Sequence, residues 1–324
     1  MHTIKWVLLL LIGWSANAVS GPIEDALAAY KQGDTEKLVE LLVDKDTPDF
    51  AGVSRIQSAA QQGKAEAQGL LGIFYLTGYG VPEDRKKYFS WMRKAAENGS
   101  APAQVSLGSG YQRGDKDDGI AKDYQKAYYW YRKAADQGYA PAQDSLGGMY
   151  KRGDGVPKND GAAVFWYRKA ADQGYASAQA SLGEMYKEGR GVPKNDREAV
   201  FWYRKAADQG HAPSQIDLGT MYKEGHGIPK NDQEAYFWYR KAADQGYMAA
   251  SEFLSLLLRD LGNYQEAYFW KLLSNAQMSS IGLDWLQKMN RQTLEDLERK
   301  LTPEQRAAAQ AQARDWKPTP TTRP

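Results

Sequence analysis

The 324-residue chain contains no cysteine. That excludes a disulfide framework, thiolate metal sites and a cysteine nucleophile, and with them N-terminal lipidation through a lipobox. Histidine is almost as scarce: His2, His211 and His226 are the only three, too few for a histidine-rich metal site. An excess of charge of one sign is missing too, since 42 basic and 40 acidic residues leave +2. Basic residues stand beside acidic ones, as in YRKAADQ, so bulk charge points to no polyanionic partner. The chain lacks GxSxG, HExxH, the Walker GxxxxGK[ST], GxGxxG and the spacing of an EF-hand loop, so no catalytic residue, cofactor or metal site emerges. The expectation is a protein that is not an enzyme. Beyond the N-terminus there is no long apolar run, so no integral membrane span is expected in the mature chain.

What apolar run there is stands first, in MHTIKWVLLLLIGWSANAVSGP. Lys5 gives a weak positive region, Trp6–Trp14 a short apolar stretch, and Ala16-Asn17-Ala18 a small-x-small cleavage pattern. The run is too short to cross a bilayer. Residues 1–18 therefore read as a signal peptide cut after Ala18, and the mature chain as exported, periplasmic or secreted.

The rest is dominated by repetition. WYRKAADQG occurs four times, at Trp130–Gly138, Trp166–Gly174, Trp202–Gly210 and Trp238–Gly246, at intervals of 36. An active site is needed once; a structural unit can be needed many times. A Leu-Gly pair recurs at Leu71, Leu107, Leu146, Leu182 and Leu218, with Leu254 as its last echo. From each repeat tryptophan to the next of these leucines is always 16 residues, so that part is packed. From leucine to the next tryptophan is usually 20, with three residues added before Trp130 and four removed before Trp270, so that part holds a loop.

Two helices per unit follow. Helix A runs, for instance, over Pro141–Arg152, with Pro141 in its first turn. Helix B runs over Gly161–Gln173, with Asp160 (and likewise Asp196 and Asp232) as N-cap and Gly174 as the glycine beyond its end. Ala163, Trp166, Tyr167, Ala170 and Ala171 have the i, i+3, i+4, i+7, i+8 spacing of one buried face. Ala142, Leu146, Gly147 and Tyr150 do the same for helix A.

ASAQASLGEMYKEGRGVPKNDREAVFWYRKAADQG resembles, almost letter for letter, the pattern of the Sel-one-like (Sel1-like) repeat, a relative of the tetratricopeptide repeat. The resemblance covers residues 63–279, about six units. It implies an all-α, right-handed α-solenoid that acts as an adaptor and carries no catalytic residues. Residues 19–62 and 280–316 are expected to form N- and C-terminal capping helices. The latter include a capping box at Thr302-Pro303-Glu304-Gln305. Residues 317–324 read as a disordered tail.

Function is then sought where the copies differ. In helix A, Gln104/143/179/215, the Leu-Gly pair and Tyr111/150/186/222 stay constant. Three positions vary: Val105, Asp144, Ala180, Ile216; Ser109, Gly148, Glu184, Thr220; Gln112, Lys151, Lys187, Lys223. Spaced i, i+4, i+7, they form one stripe, expected to be exposed. By analogy with the tetratricopeptide family, helix A lines the concave groove, so the stripe is the expected contact for a protein or peptide. On helix B, Tyr129, Phe165, Phe201, Phe237 and Phe269 point opposite the buried face. They form either a second interface or a row covered by neighbouring B helices. The glycine loops such as GRGVPKND read as turns of the repeat, Glu184 and Glu188 as a solvated face, and the Arg-Lys pairs as no nucleic-acid site. The leading expectation is a periplasmic adaptor. Alternatives are an immunity protein neutralising a lipase-type toxin that acts in the periplasm and, from another class, a cell-wall-related hydrolase. Oligomeric state is not readable from the sequence.

Overall fold

A computed structural model describes residues 22–42, 48–114, 120–280 and 284–319. The leader with its cut after Ala18, residues 115–119 of the insertion and the last five residues of the tail lie outside the described residues. The described residues form seventeen helices and divide into two compact units. The first runs to Met149 and takes in Gly153–Pro157; the second comprises Tyr150–Arg152 and the chain from Lys158 onward.

The first unit begins with α1 (Pro22–Gln32), α2 (Thr35–Leu42) and α3 (Phe50–Gln61). It continues as A–B pairs: α4 (Ala65–Thr77) with α5 (Arg85–Glu97), α6 (Ala101–Arg113) with α7 (Tyr124–Asp136), and most of α8 (Ala140–Arg152). Ile23, Ala26, Tyr30, Val53, Ile56, Leu70, Leu71 and Phe74 share a buried cluster. Residues of α1 and α3 thus bury their apolar faces together with that of α4.

The second unit contains α9 (Asp160–Asp172), α10 (Ala176–Glu188), α11 (Asp196–Asp208), α12 (Ala212–Glu224), α13 (Asp232–Asp244), α14 (Met248–Asp260) and α15 (Tyr264–Ser280). The helices α16 (Asp284–Glu298) and α17 (Pro303–Asp315) follow and pack on α15. Each helix from α9 to α15 packs on the next. Thr302 caps α17 in a capping box with Gln305. Beyond Trp316 the backbone is extended, and the Thr319 N–H donates to the Asp244 carbonyl.

Every letter of the nine-residue repeat finds a structural task. Of its four tryptophans Trp166, Trp202 and Trp238 are buried and Trp130 is half-buried, and the alanine pairs are buried. The tyrosine after each tryptophan lies under the Leu-Gly glycine: a Cβ at Gly183 would come within 2.8 Å of the Tyr203 ring. Arg168 and Arg204 donate to the hydroxyls of Tyr186 and Tyr222 in later A helices. Each lysine turns back over aromatic rings of its own helix; Lys205, for example, sits over Phe201 and Trp202. Asp136 and Asp244 take the guanidinium of Arg132 and Arg240 one turn back. The glutamine bridges to the previous A helix: the Gln209 amide donates to Gln179 Oε1 at 2.7 Å, while Gln179 Nε2 donates to the Ala171 carbonyl at 3.2 Å. Gln245, Gln215 and Ala207 repeat the chain of bonds. Gly174, Gly210 and Gly246 take positive φ beyond the helix ends, where glycine carries no Cβ penalty.

The helix starts differ from the sequence expectation by one residue. The caps of α9, α11 and α13 are Asn159, Asn195 and Asn231, whose side chains accept from N–H groups of the first turn. Asp160, Asp196 and Asp232 instead open the helix, where a carboxylate faces the positive end of the helix dipole. Both residues of an Asn-Asp pair can cap, and the extended backbone falls on the first.

Candidate protein-binding surface

The variable stripe is less exposed than a single-helix wheel suggests. In the first unit Val105, Ser109, Gln112 and Asp144 are half-buried and Gly148 is buried. Gln112 Oε1 accepts from the Tyr131 hydroxyl at 3.0 Å, and Ser109 Oγ accepts from the Arg113 guanidinium at 2.8 Å. In the second unit Lys151, Ala180, Glu184, Lys187, Ile216, Thr220 and Lys223 are all half-buried. Three of the lysines reach forward to the next A helix: Lys151 to Glu184 at 2.6 Å, Lys187 to Asp217 at 3.8 Å and Lys223 to Asp260 at 3.6 Å. The lysine keeps its place in these three successive copies, where the earlier one has Gln112, while the acid moves along its helix. Thr220 Oγ1 donates to the Ile216 carbonyl and meets the Tyr239 hydroxyl at 3.0 Å. The physical reason for the difference is stacking. Consecutive A helices lie side by side, so positions pointing away from helix B partly face the next A helix.

Between α10 and α12 the stripe opens into a depression of about 390 Å³. Ala180, Glu184 and Lys187 line it with Ser181, Glu188, Asp217, Tyr203 and His211. Burial pushes the Asp217 carboxyl above its ordinary range, with Lys187 pulling it back. Burial lowers the His211 imidazole, and neutral His211 caps α12 by accepting from Ser214 N–H through Nδ1. Burial also raises the Tyr203 phenol. Asp217 and His211 escaped the search for varying positions. The signal was present: three earlier A helices carry Ser106, Ser145 and Ser181 where α12 has Asp217.

The remaining sequence candidates fall as follows. Glu188 is exposed and lies 3.5 Å from Arg190, which also pairs with Asp160 at 2.9 Å. The loop glycines Gly191 and Gly227 press on the carbonyls of Asp160 and Asp196, leaving no room for a Cβ. In the outward row of B helices, Tyr129, Phe165, Phe201 and Phe237 are exposed, whereas Phe269 is buried. Among the described residues no group of three or more His, Asp or Glu side chains is placed to hold a metal ion. No described helix is long and apolar enough to cross a membrane.

Comparison with known proteins agrees with this architecture. The Sel1 repeat pattern matches residues 65–100, 101–139, 140–175, 176–211 and 212–247. A Sel1 repeat protein of Oxalobacter formigenes is 32% identical over 79% of this chain and 97% of its own, with a TM-score of 0.61. A protective antigen with an SLR fold from uropathogenic Escherichia coli is 25% identical, covering 91% of this chain and 84% of its own, at a TM-score of 0.43. An immunity protein of Pseudomonas aeruginosa is 22% identical, covering 67% and 81%, also at 0.43. No curated protein matches the chain. The matched repeats make up more than half of the chain, and on that ground it belongs to the Sel1 repeat family.

Proposed function

We propose that the chain is an exported adaptor that binds a protein or peptide through its A-helix face, with the depression between α10 and α12 as the contact in the second unit. The depression carries the reading. The residues common to the copies are mostly consumed by packing, by the glutamine bridges and by the arginine–tyrosine bonds, whereas Ala180, Glu184, Glu188, His211 and Asp217 in its lining differ from copy to copy. Glu188 and Asp217 with two serines outweigh Lys187 and a neutral His211. Such a lining suits a partner segment that presents basic or hydrogen-bond-donating side chains. Neither a cofactor nor a catalytic step forms part of this reading.

The test uses the full chain as bait in a periplasmic extract, beside an Asp217→Ser, Glu188→Arg variant. Both replacements are residue types that other copies carry at these positions, as Ser181 and Arg152 do, so the variant keeps its fold and its circular dichroism. A protein held by the parent and lost from the variant is the expected outcome; equal capture rejects the assignment. Recovery of a lipase-type toxin as that protein would narrow the adaptor role to immunity. Export is checked separately, by N-terminal sequencing of the chain from the periplasmic fraction, which should begin at Val19.

A further inference from the structure

The outward face of the B helices carries an ordered aromatic and basic pattern that the A-face reading does not use. Phe165, Phe201 and Phe237 are 52%, 48% and 46% exposed, while Phe269, the next in the row, is only 4% exposed. Each of the three packs edge-on against the buried tryptophan that follows it, with ring centroids 5.0–5.2 Å apart. The lysine four residues on, Lys169, Lys205 or Lys241, holds its ammonium 4.6–4.7 Å from the phenylalanine ring centroid. Among the described residues no carboxylate lies within ion-pair distance of these three ammonium groups, although Asp172 and Asp208 stand one turn further along. The rings are thus fixed in position, and the cations above them lack a counter-charge.

The buried member shows what fits this face. Phe269 belongs to a cluster that includes Ala309 of α17, with Ala313 and Trp316 packed against it, and Gln312 flanks the same depression as Phe269. Trp316 meets Trp270 edge-on at 6.2 Å. Where this helix of the chain itself covers the row, the residue four after the phenylalanine is Leu273 and not lysine. The covered rung thus has leucine at the position where each open rung keeps a lysine, while its one nearby cation, Arg240, is paired with Glu266 at 3.2 Å. Pairing with the same face of a second copy would set lysine against lysine, which opposes it.

We infer that the outward face of α9, α11 and α13 docks an amphipathic helix of a partner protein, with small apolar residues against Phe165, Phe201 and Phe237 and carboxylates toward Lys169, Lys205 and Lys241. This is recognition of a helix through an apolar stripe, with the charges setting which helices are accepted. It is a second surface, independent of the depression between α10 and α12.

The probe is a synthetic helical peptide with an alanine and leucine face flanked by glutamates, titrated against the full chain by fluorescence anisotropy. Its counterpart carries lysine in place of each glutamate. The glutamate peptide should bind, and should lose at least about tenfold in affinity to a Phe201→Ala, Phe237→Ala chain, as for central aromatic contacts. A Lys205→Glu, Lys241→Glu chain should prefer the lysine peptide, and because it keeps both rings it reports even if the alanine variant fails to fold. The Asp217→Ser, Glu188→Arg chain should bind the glutamate peptide like the parent. Equal binding of the two peptides, no binding of the glutamate peptide, or unchanged affinity in both B-face variants would overturn the inference. So would concentration-dependent self-association in sedimentation that the Phe201→Ala, Phe237→Ala change abolishes, since the occupant would then be a second copy.

Discussion

Two residues set the tolerances of the second unit. Gly183 exists to admit the Tyr203 ring, since a Cβ there would lie 2.8 Å from it. The last repeat shows the alternative solution: Ser255 stands at the glycine position and Lys271 at that of the tyrosine, where it is buried and pairs with Glu252 at 2.5 Å. Gly183→Ala should therefore cost about 1–3 kcal/mol by overpacking. In a chain already carrying Tyr203→Leu the same change should cost much less, because the clash has gone. A double-mutant cycle by urea denaturation measures the coupling, and additive losses would contradict the contact. His211 sets a pH limit. Burial lowers its pKa in the fold, so the unfolded chain takes up the proton first. The stability it contributes is complete above the unfolded value of about 6.5 and is lost as pH falls through the lower folded value. The raised Asp217 acts with the opposite sign, nearer the carboxylate range of about 4. Between pH 7.5 and 5.5 the parent should therefore lose melting temperature relative to His211→Asn, which keeps an N-cap oxygen without the titration. Parallel curves for the two chains would assign the slope to other groups.

At the level of elements, the glutamine bridges decide how one pair of helices meets the next. Gln179 is buried, gives its amide to the Ala171 carbonyl and takes one from Gln209. Gln179→Ala removes both bonds, but the Ala171 carbonyl keeps the Gly174 N–H and the exposed Gln209 amide keeps the Lys205 carbonyl, so the loss should be about 0.5–1.5 kcal/mol, that of an ordinary hydrogen bond. Hydrogen exchange should speed up at the end of α9 and the start of α10, and unaltered exchange there would show that the bridge is dispensable. These elements were legible because repetition supplies its own alignment: the constant residues, the buried faces and the variable loop all emerge from copies within one chain. Two features were not. The caps shifted from Asp160 to Asn159 because adjacent residues compete for one role with nearly equal energies. The stripe proved half-buried because a helical wheel knows its own helix and not the A helix beside it. Ion pairs such as Lys187 with Asp217 join positions that differ from copy to copy, so no single repeat reveals them. The depression was missed for the same reason, since its carboxylates sit on two different helices.

For the molecule as a whole, an array must be closed at its ends, because each repeat buries its apolar face only against a neighbour. In the second unit α16 and α17, which both pack on α15, are the elements we propose for that task. Tyr268 donates its hydroxyl hydrogen to Glu298 at 2.7 Å and accepts from Gln310 at 3.1 Å, tying both helices to α15. Trp270 and Phe269 are buried beside Ala309 and Trp316. A chain ending at Leu301 loses Ala309, Gln310 and Trp316 together. The newly exposed face would then join the row of Phe165, Phe201 and Phe237 as one more uncovered aromatic rung, but without the lysine that the open rungs carry. Such a contiguous apolar patch favours association. The shortened chain should melt at lower temperature, bind the dye ANS and sediment as larger species, whereas a chain ending at Trp316 should behave like the parent in all three. If the Leu301 chain stays monomeric and as stable as the parent, α17 is not the closing element, and the burial of Phe269 must be attributed to α16 alone.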